Sequence, residues 1–366
     1  MAIVRVRSSA GSYDVHCARG ALAKVRSLIE RLGDSTGTYL LTSPRVWRVW
    51  GRDAVPALGI SRKHVILFDD AEAAKRLATV EAIARTLSHA GADRHSVLVA
   101  VGGGVVGDVA GFAAATYLRG VRILHVPTTL VAQVDSSIGG KTGVDLPEGK
   151  NLVGAFHPPK LVVADPDMLR TLPHREYRSG LYEVAKYGII ADPKLFRFLE
   201  THINAVLRRD PAALDWIIPR CIAIKAHVVN KDEREHSLRK ILNFGHTLGH
   251  ALEAATAYKR FLHGEAIAWG MMAATLLGVA TNRTREADAT RIFRLISSVG
   301  PLPSLAGIRA SQLRNIMAGD KKARGGRVLW VLARAIGRTE WDVEVPWAVV
   351  ARAFAELPRI AAQARN

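Results

Sequence analysis

Val97-Leu98-Val99-Ala100-Val101-Gly102-Gly103-Gly104-Val105-Val106-Gly107-Asp108 decides the fold. The first five residues are an apolar run of strand length, and Val109 to Tyr117 is helix-forming. Gly102, Gly104 and Gly107 stand between them in a G-x-G-x-x-G spacing, the context in which backbone N–H groups at a helix N-terminus hold phosphate. An ordinary dinucleotide site has an acidic residue about 20 positions later. Here the chain reads Arg122 to Pro127 instead, so a nucleotide is expected in a different arrangement. Acidic candidates for its ribose lie upstream, at Asp69, Asp70 and Glu72.

Outward from this stretch the same texture repeats. Val121 to Val126 is a second apolar run, closed by Pro127-Thr128-Thr129. Val134 to Thr142 and Gly149-Lys150-Asn151 come next, and they set Lys141 and Lys150 beside glycine turns, where an ammonium suits phosphate or carboxylate. Asp135 reads either as an N-cap for Ser136 onward or as a ligand for a substrate hydroxyl. Upstream, Tyr39 to Thr42 and Val65 to Phe68 are strand-like, and Ala71 to Ala90 is helical. Leu161 to Ala164 is the last strand, ended by Asp165-Pro166. Strands alternating with helices predict a parallel, Rossmann-like sheet in an α/β domain over 1–170.

After Leu172-Pro173 the pattern changes. Lys194 to Arg208, Ala212 to Val229 and Glu265 to Ala280 are apolar at helical spacing, and Asp210-Pro211 is an N-cap with proline at the first helical position. A mainly α-helical domain is expected over 171–366, with a hairpin from Val328 to Ala333 and Thr339 to Val345.

Composition narrows the function. The 366 residues are 49% hydrophobic and 23% charged, as in ordinary globular proteins. The net charge of +18 is scattered, without a run of five like charges, which argues for a basic surface and a cationic pocket rather than nucleic-acid binding. Two cysteines, Cys17 and Cys221, fit a reducing cytoplasm. The start alternates like a strand and lacks a signal-peptide core. The longest apolar run, Ala266 to Ala280, is too short for a membrane span.

The helical half carries a second constellation. In Asn243-Phe244-Gly245-His246-Thr247-Leu248-Gly249-His250 two histidines share a helix face, and His263-Gly264-Glu265 lies shortly beyond. Glu183 and Lys186 are three apart on an earlier helix. Histidines with a carboxylate and an open position make a catalytic zinc-like set, and spacing alone selects His246 and His250 as the ligand pair.

Taken together, Gly102 to Asp108, Tyr117 to Gly120, Pro127 to Thr129, Val134 to Thr142, Gly149 to Gly154, Glu183 to Gly188, Asn243 to His250 and His263 to Glu265 resemble the 3-dehydroquinate synthases, in family order across roughly residues 39 to 337. The resemblance implies an NAD-binding α/β domain, a helical domain, an active site between them, and a divalent metal, zinc or cobalt. It also implies conversion of 3-deoxy-D-arabino-heptulosonate 7-phosphate to 3-dehydroquinate and phosphate in the shikimate pathway. By the same resemblance the metal ligands are Glu183, His246 and His263, which moves His250 into the substrate pocket. Glu72, Lys75, Gly104, Val105, Val106, Gly107, Asp108, Thr128, Thr129, Lys141 and Lys150 meet NAD or the substrate phosphate. Asp135, Lys186, Lys225, Arg239, Asn243, and Lys321 or Lys322 surround the substrate. Arg119 reaches a neighbouring subunit's site, which implies a homodimer. The chain departs from the family pattern at Ser43, where Asp or Asn is frequent, at Ala71 and at Pro158.

Two neighbouring readings compete. Another sugar phosphate cyclase, acting on sedoheptulose 7-phosphate or glucose 6-phosphate, has no substrate carboxylate for Arg239 to meet. A metal-dependent alcohol dehydrogenase of similar fold leaves the lysines unexplained.

Overall fold

The computed structural model describes residues 2–318 and 328–364, so Lys321 and Lys322 lie outside the described residues. The chain forms two compact units, one from Met1–Pro173 with Ile218–Glu233, the other from His174–Ile217 with Arg234–Asn366.

The first unit is built on a seven-stranded sheet. Its strands are β1 (Ala2–Ser8), β2 (Gly11–Cys17), β3 (Thr38–Thr42), β4 (Val65–Leu67), β5 (Val97–Gly102), β6 (Arg122–Pro127) and, after the hairpin β7 (Lys141–Leu146) and β8 (Gly149–Phe156), β9 (Leu161–Ala164). The order is β1-β2-β9-β6-β5-β3-β4. Every neighbouring pair is parallel except β1 with β2. β5 is buried along its whole length, as a central strand covered on both faces must be. Its side chains alternate between two cores: Leu98 and Ala100 pack with the helices Leu77–His89 and Gly104–Thr116, while Val97, Val99 and Val101 pack with the helix Pro44–Leu58. The chain runs from β3 outward to β4 and then from β5 the opposite way, so the order reverses at β3 and β5. Ligands of open α/β sheets bind at the carboxyl ends of such strands, and the glycine turn sits there, directly after β5.

Two expectations change in detail. The helix over Ala71 to Ala90 is a single turn, Glu72–Ala74, then a break, then a helix from Leu77. Lys75 leaves helical geometry at ψ 68, and its side chain is buried. Asp135 does not cap a helix beginning at Ser136; it sits inside one π-helical turn, Ala132–Ser136.

The second unit is helical. Its helices include His174–Ile190, His246–Ala255 and His263–Ala280. It also holds the antiparallel pair β10 (Leu329–Ala335) and β11 (Arg338–Glu344). Asp210 caps the helix Pro211–Lys231 by accepting the Ala213 N–H at 2.9 Å. The greater part of that helix, from Ile218 on, belongs to the first unit.

Candidate active site

Glycines bring three helices of the second unit together. A Cβ on Gly264 would lie 1.9 Å from the carbonyl oxygen of Ser179, one turn before Glu183. A Cβ on Gly270 would lie 1.8 Å from that of Gly245, and Gly245 itself has φ 82, which favours glycine. These approaches explain why glycines flank the histidines in the sequence. The result is a group in which one ligand atom each from Glu183, His246 and His263 lies within 4.8 Å of the others. Oε1 of Glu183 is 4.0 Å from Nε2 of His246 and 3.7 Å from Nε2 of His263.

The far side of each imidazole fixes which nitrogen faces inward. His246 Nδ1 donates to the Phe244 carbonyl at 3.2 Å, and His263 Nδ1 lies 3.2 Å from Oε2 of Glu253. Both Nε2 atoms are thereby turned to Glu183. Glu183 is wholly buried, its Oε1 has no hydrogen-bond donor among the described residues, and its Oε2 pairs with the ammonium of Lys186, also buried. An anionic oxygen without a donor beside two imidazole nitrogens fits a divalent cation of the zinc kind.

His250 stands next to this group rather than in it. Its ring centroid is 5.2 Å from that of His246 and 6.0 Å from that of His263, and it forms a second three-ligand group with Glu253 and His263. No such group among the described residues contains both His246 and His250, the pair that spacing selects. Arg239 is buried on the 3₁₀ turn Leu238–Asn243, and Asn243 at its end donates to Glu235.

In the first unit the helix Gly104–Thr116 starts at Gly103, which supplies no side-chain cap. Gly102 has to be glycine, since a Cβ would fall 2.5 Å from Val106. The Thr128 N–H donates to the Gly102 carbonyl at 2.9 Å, and Thr129 Oγ1 accepts from Ala132 N–H at 3.2 Å. An uncapped N-terminus beside two threonines fits a pyrophosphate.

Lys75 gathers the surrounding acids. Its ammonium donates to Asp108 Oδ2 at 2.6 Å and to Asn151 Oδ1. Burial alone would lower its pKa, yet Asp108, Glu72 and Asp145 outweigh burial and hold Lys75 above the ordinary lysine value. Lys150 Nζ lies 2.9 Å from Glu72 Oε1. Asp70 accepts from Ser43 Oγ at 2.9 Å, so the residue that departs from the family pattern still closes the end of β3. Asp135 accepts from Lys225 Nζ at 2.7 Å, a pair formed across 90 positions of sequence. Lys141 is exposed at the start of β7. Arg119 is exposed on a turn where Leu118 and Arg119 both have positive φ, 49 and 65.

Sequence reading missed Glu253 and Asp145. Glu253 was findable: it lies seven residues after His246 and three after His250, on the face that both histidines use. Among the described residues no helix is long and apolar enough to cross a membrane.

The chain has close counterparts among known proteins. Residues 65–179 match the 3-dehydroquinate synthase N-terminal family, and residues 180–323 match its C-terminal family. A 3-dehydroquinate synthase of Koribacter versatilis is 45% identical over 360 residues, 97% of each chain. Among solved structures, 2-epi-5-epi-valiolone synthase from Streptomyces hygroscopicus, with NAD⁺ and Zn²⁺ bound, superposes with a TM-score of 0.86 at 29% identity, over 95% of this chain and 97% of that one. A 2-deoxy-scyllo-inosose synthase complexed with carbaglucose-6-phosphate, NAD⁺ and Co²⁺ gives 0.87 at 28% identity, over 97% and 99%.

Proposed function

The chain belongs to the 3-dehydroquinate synthase family, and from that membership we propose how its own residues convert 3-deoxy-D-arabino-heptulosonate 7-phosphate to 3-dehydroquinate and phosphate in the shikimate pathway. The observation that carries the reading is the buried Glu183 oxygen facing two imidazole Nε2 atoms whose far sides are held by Phe244 and Glu253. When bound, NAD⁺ supplies a transient hydride acceptor and a divalent metal, zinc or cobalt, supplies polarisation of a substrate hydroxyl.

Glu183, His246 and His263 hold the metal. The uncapped turn Gly104 to Asp108, with Thr128, Thr129, Glu72 and Lys75, holds the dinucleotide. Lys141 and Lys150 face phosphate, where cationic groups favour the charge that develops as phosphate departs. Arg239 presents its planar fork to the substrate carboxylate. Asn243, Lys186, His250 and the Asp135–Lys225 pair orient the hydroxyls, with Asp135 held in place by the Lys225 ammonium. Transient oxidation is followed by phosphate elimination, reduction and intramolecular aldol closure. His250 or the departing phosphate moves the proton that elimination requires.

The working protein is a cytoplasmic homodimer in this reading, with Arg119 serving the neighbouring subunit. Nucleic acid and membrane have no part in it. Release of inorganic phosphate from the heptulosonate phosphate, with metal and NAD⁺ present, is the test. Phosphate without net NADH is expected. No phosphate release overturns the assignment, and net NADH favours a dehydrogenase.

A further inference from the structure

The hairpin of β7 and β8 is tightly held at its root. A Cβ on Gly111 would lie 2.3 Å from Thr142, and Gly143 pairs with Gly154, where a Cβ would meet the Thr142 carbonyl at 2.1 Å. Toward the tip the ladder breaks, with a register shift between Val144 and Leu146. Asp145 occupies that irregularity, and a bulge re-aims the side chains around it.

Asp145 is buried, only 5% exposed, and bonded at both ends. Its N–H donates to the Lys75 carbonyl at 2.8 Å, and its Oδ1 accepts the Asn151 N–H at 2.8 Å. Asn151 has φ 53, a conformation a non-glycine residue rarely holds without support. Its side chain accepts from the Lys75 ammonium, which also reaches Asp108. Asp145, Asn151 and Lys75 therefore form a closed ring that ties the hairpin tip to the loop after β4 and to the glycine-turn helix. Lys150, one residue before Asn151, is left against Glu72.

We propose that Asp145 is a positioning residue for dinucleotide binding: by holding Asn151 in its left-handed conformation it fixes Lys75 and, through the Lys150 ion pair, Glu72 in their binding arrangement before the dinucleotide arrives. The inference rests on the reading that these residues meet NAD⁺. A preformed arrangement avoids an ordering cost at the moment of binding. The hydrogen-bond acceptor matters here, more than the charge, since the partner is a backbone N–H.

Titration calorimetry with NAD⁺ tests this on the zinc-loaded full chain. Asp145→Ala removes the acceptor and is expected to weaken NAD⁺ binding on the order of tenfold, the worth of one hydrogen bond. Asp145→Asn keeps an acceptor and is expected to restore wild-type affinity. Zinc affinity, set by residues of the other unit, is expected to stay unchanged in both. Equal NAD⁺ affinity in wild type and a folded Asp145→Ala overturns the proposal, as does an Asp145→Asn variant as weak as Asp145→Ala. Wild-type protein that fails to bind NAD⁺ overturns the underlying reading instead. If Asp145→Ala does not fold, amide exchange of Asn151 in the dinucleotide-free wild type decides: protection supports the ring, and exchange at the free-chain rate refutes it.

Discussion

Nδ1 of His263 lies 3.2 Å from Oε2 of Glu253, a carboxylate buried two turns along the helix that begins at His246. One helix therefore carries both an inward-facing imidazole and the group that orients the second imidazole. A carboxylate behind a ligating histidine fixes its tautomer and raises its basicity. Glu253→Ala is expected to weaken zinc binding roughly 10–100-fold, the usual effect of losing such a partner. Competition against a chromophoric chelator measures it. Unchanged zinc affinity in the folded variant would remove Glu253 from the site.

Gly264 has a mechanical role in the same place. A Cβ there would lie 1.9 Å from a backbone oxygen, so Gly264→Ala must part the helices His174–Ile190 and His263–Ala280. Overpacking of this kind costs about 1–3 kcal/mol or more. The same movement separates Glu183 from His263, so thermal unfolding temperature and zinc affinity are expected to fall together. A variant that loses stability yet binds zinc as before would show that the glycine serves packing alone.

How much of the fold and site is legible in the sequence depends on sequence distance. The β5–glycine turn–helix unit can be read because strand, turn and helix are consecutive and each leaves a local signature. The break at Lys75 cannot, because the partners its side chain meets there, Asp108 and Asn151, lie far along the chain. The Asp135–Lys225 pair has the same character, as does the membership of Ile218–Glu233 in the sheet unit. Spacing favours His246 with His250 because i, i+4 is the nearest helical neighbour; it has no access to a separate helix that brings Glu183 and another that brings His263.

His125 sets a pH limit on the first unit. It is buried in β6 under the glycines of the helix Gly104–Thr116, and its Nδ1 has no partner among the described residues. Burial pushes its pKa down from 6.5 to about 4, with His157 adding to the effect. The unfolded chain then binds more protons than the folded one between those values. Stability is full above pH 6.5, falls as pH drops toward 4, and levels off below it, with a total loss of about 3 kcal/mol. Urea unfolding at about pH 7.5 and about pH 5 is expected to show a steeper fall for wild type than for His125→Leu, which cannot take up the proton. Parallel falls would mean that His125 is not the group responsible.

In the proposed reaction Arg239 decides which phosphorylated sugar the pocket prefers. It is buried on the turn that leads into Asn243 and His246, so its guanidinium acts with little competition from water. Loss of a charge-assisted bidentate contact costs about 3 kcal/mol, roughly 100-fold in kcat/KM. Arg239→Ala is expected to show that loss with the heptulosonate phosphate, chiefly through KM. Binding of a competing sugar phosphate without a carboxylate, such as sedoheptulose 7-phosphate, should change far less. Arg239→Lys keeps the charge and loses the fork, so an intermediate loss is expected. Equal losses for the sugar phosphates with and without a carboxylate would move Arg239 from the carboxylate to the phosphate. Turnover of the acid at the wild-type rate would take it out of substrate recognition altogether.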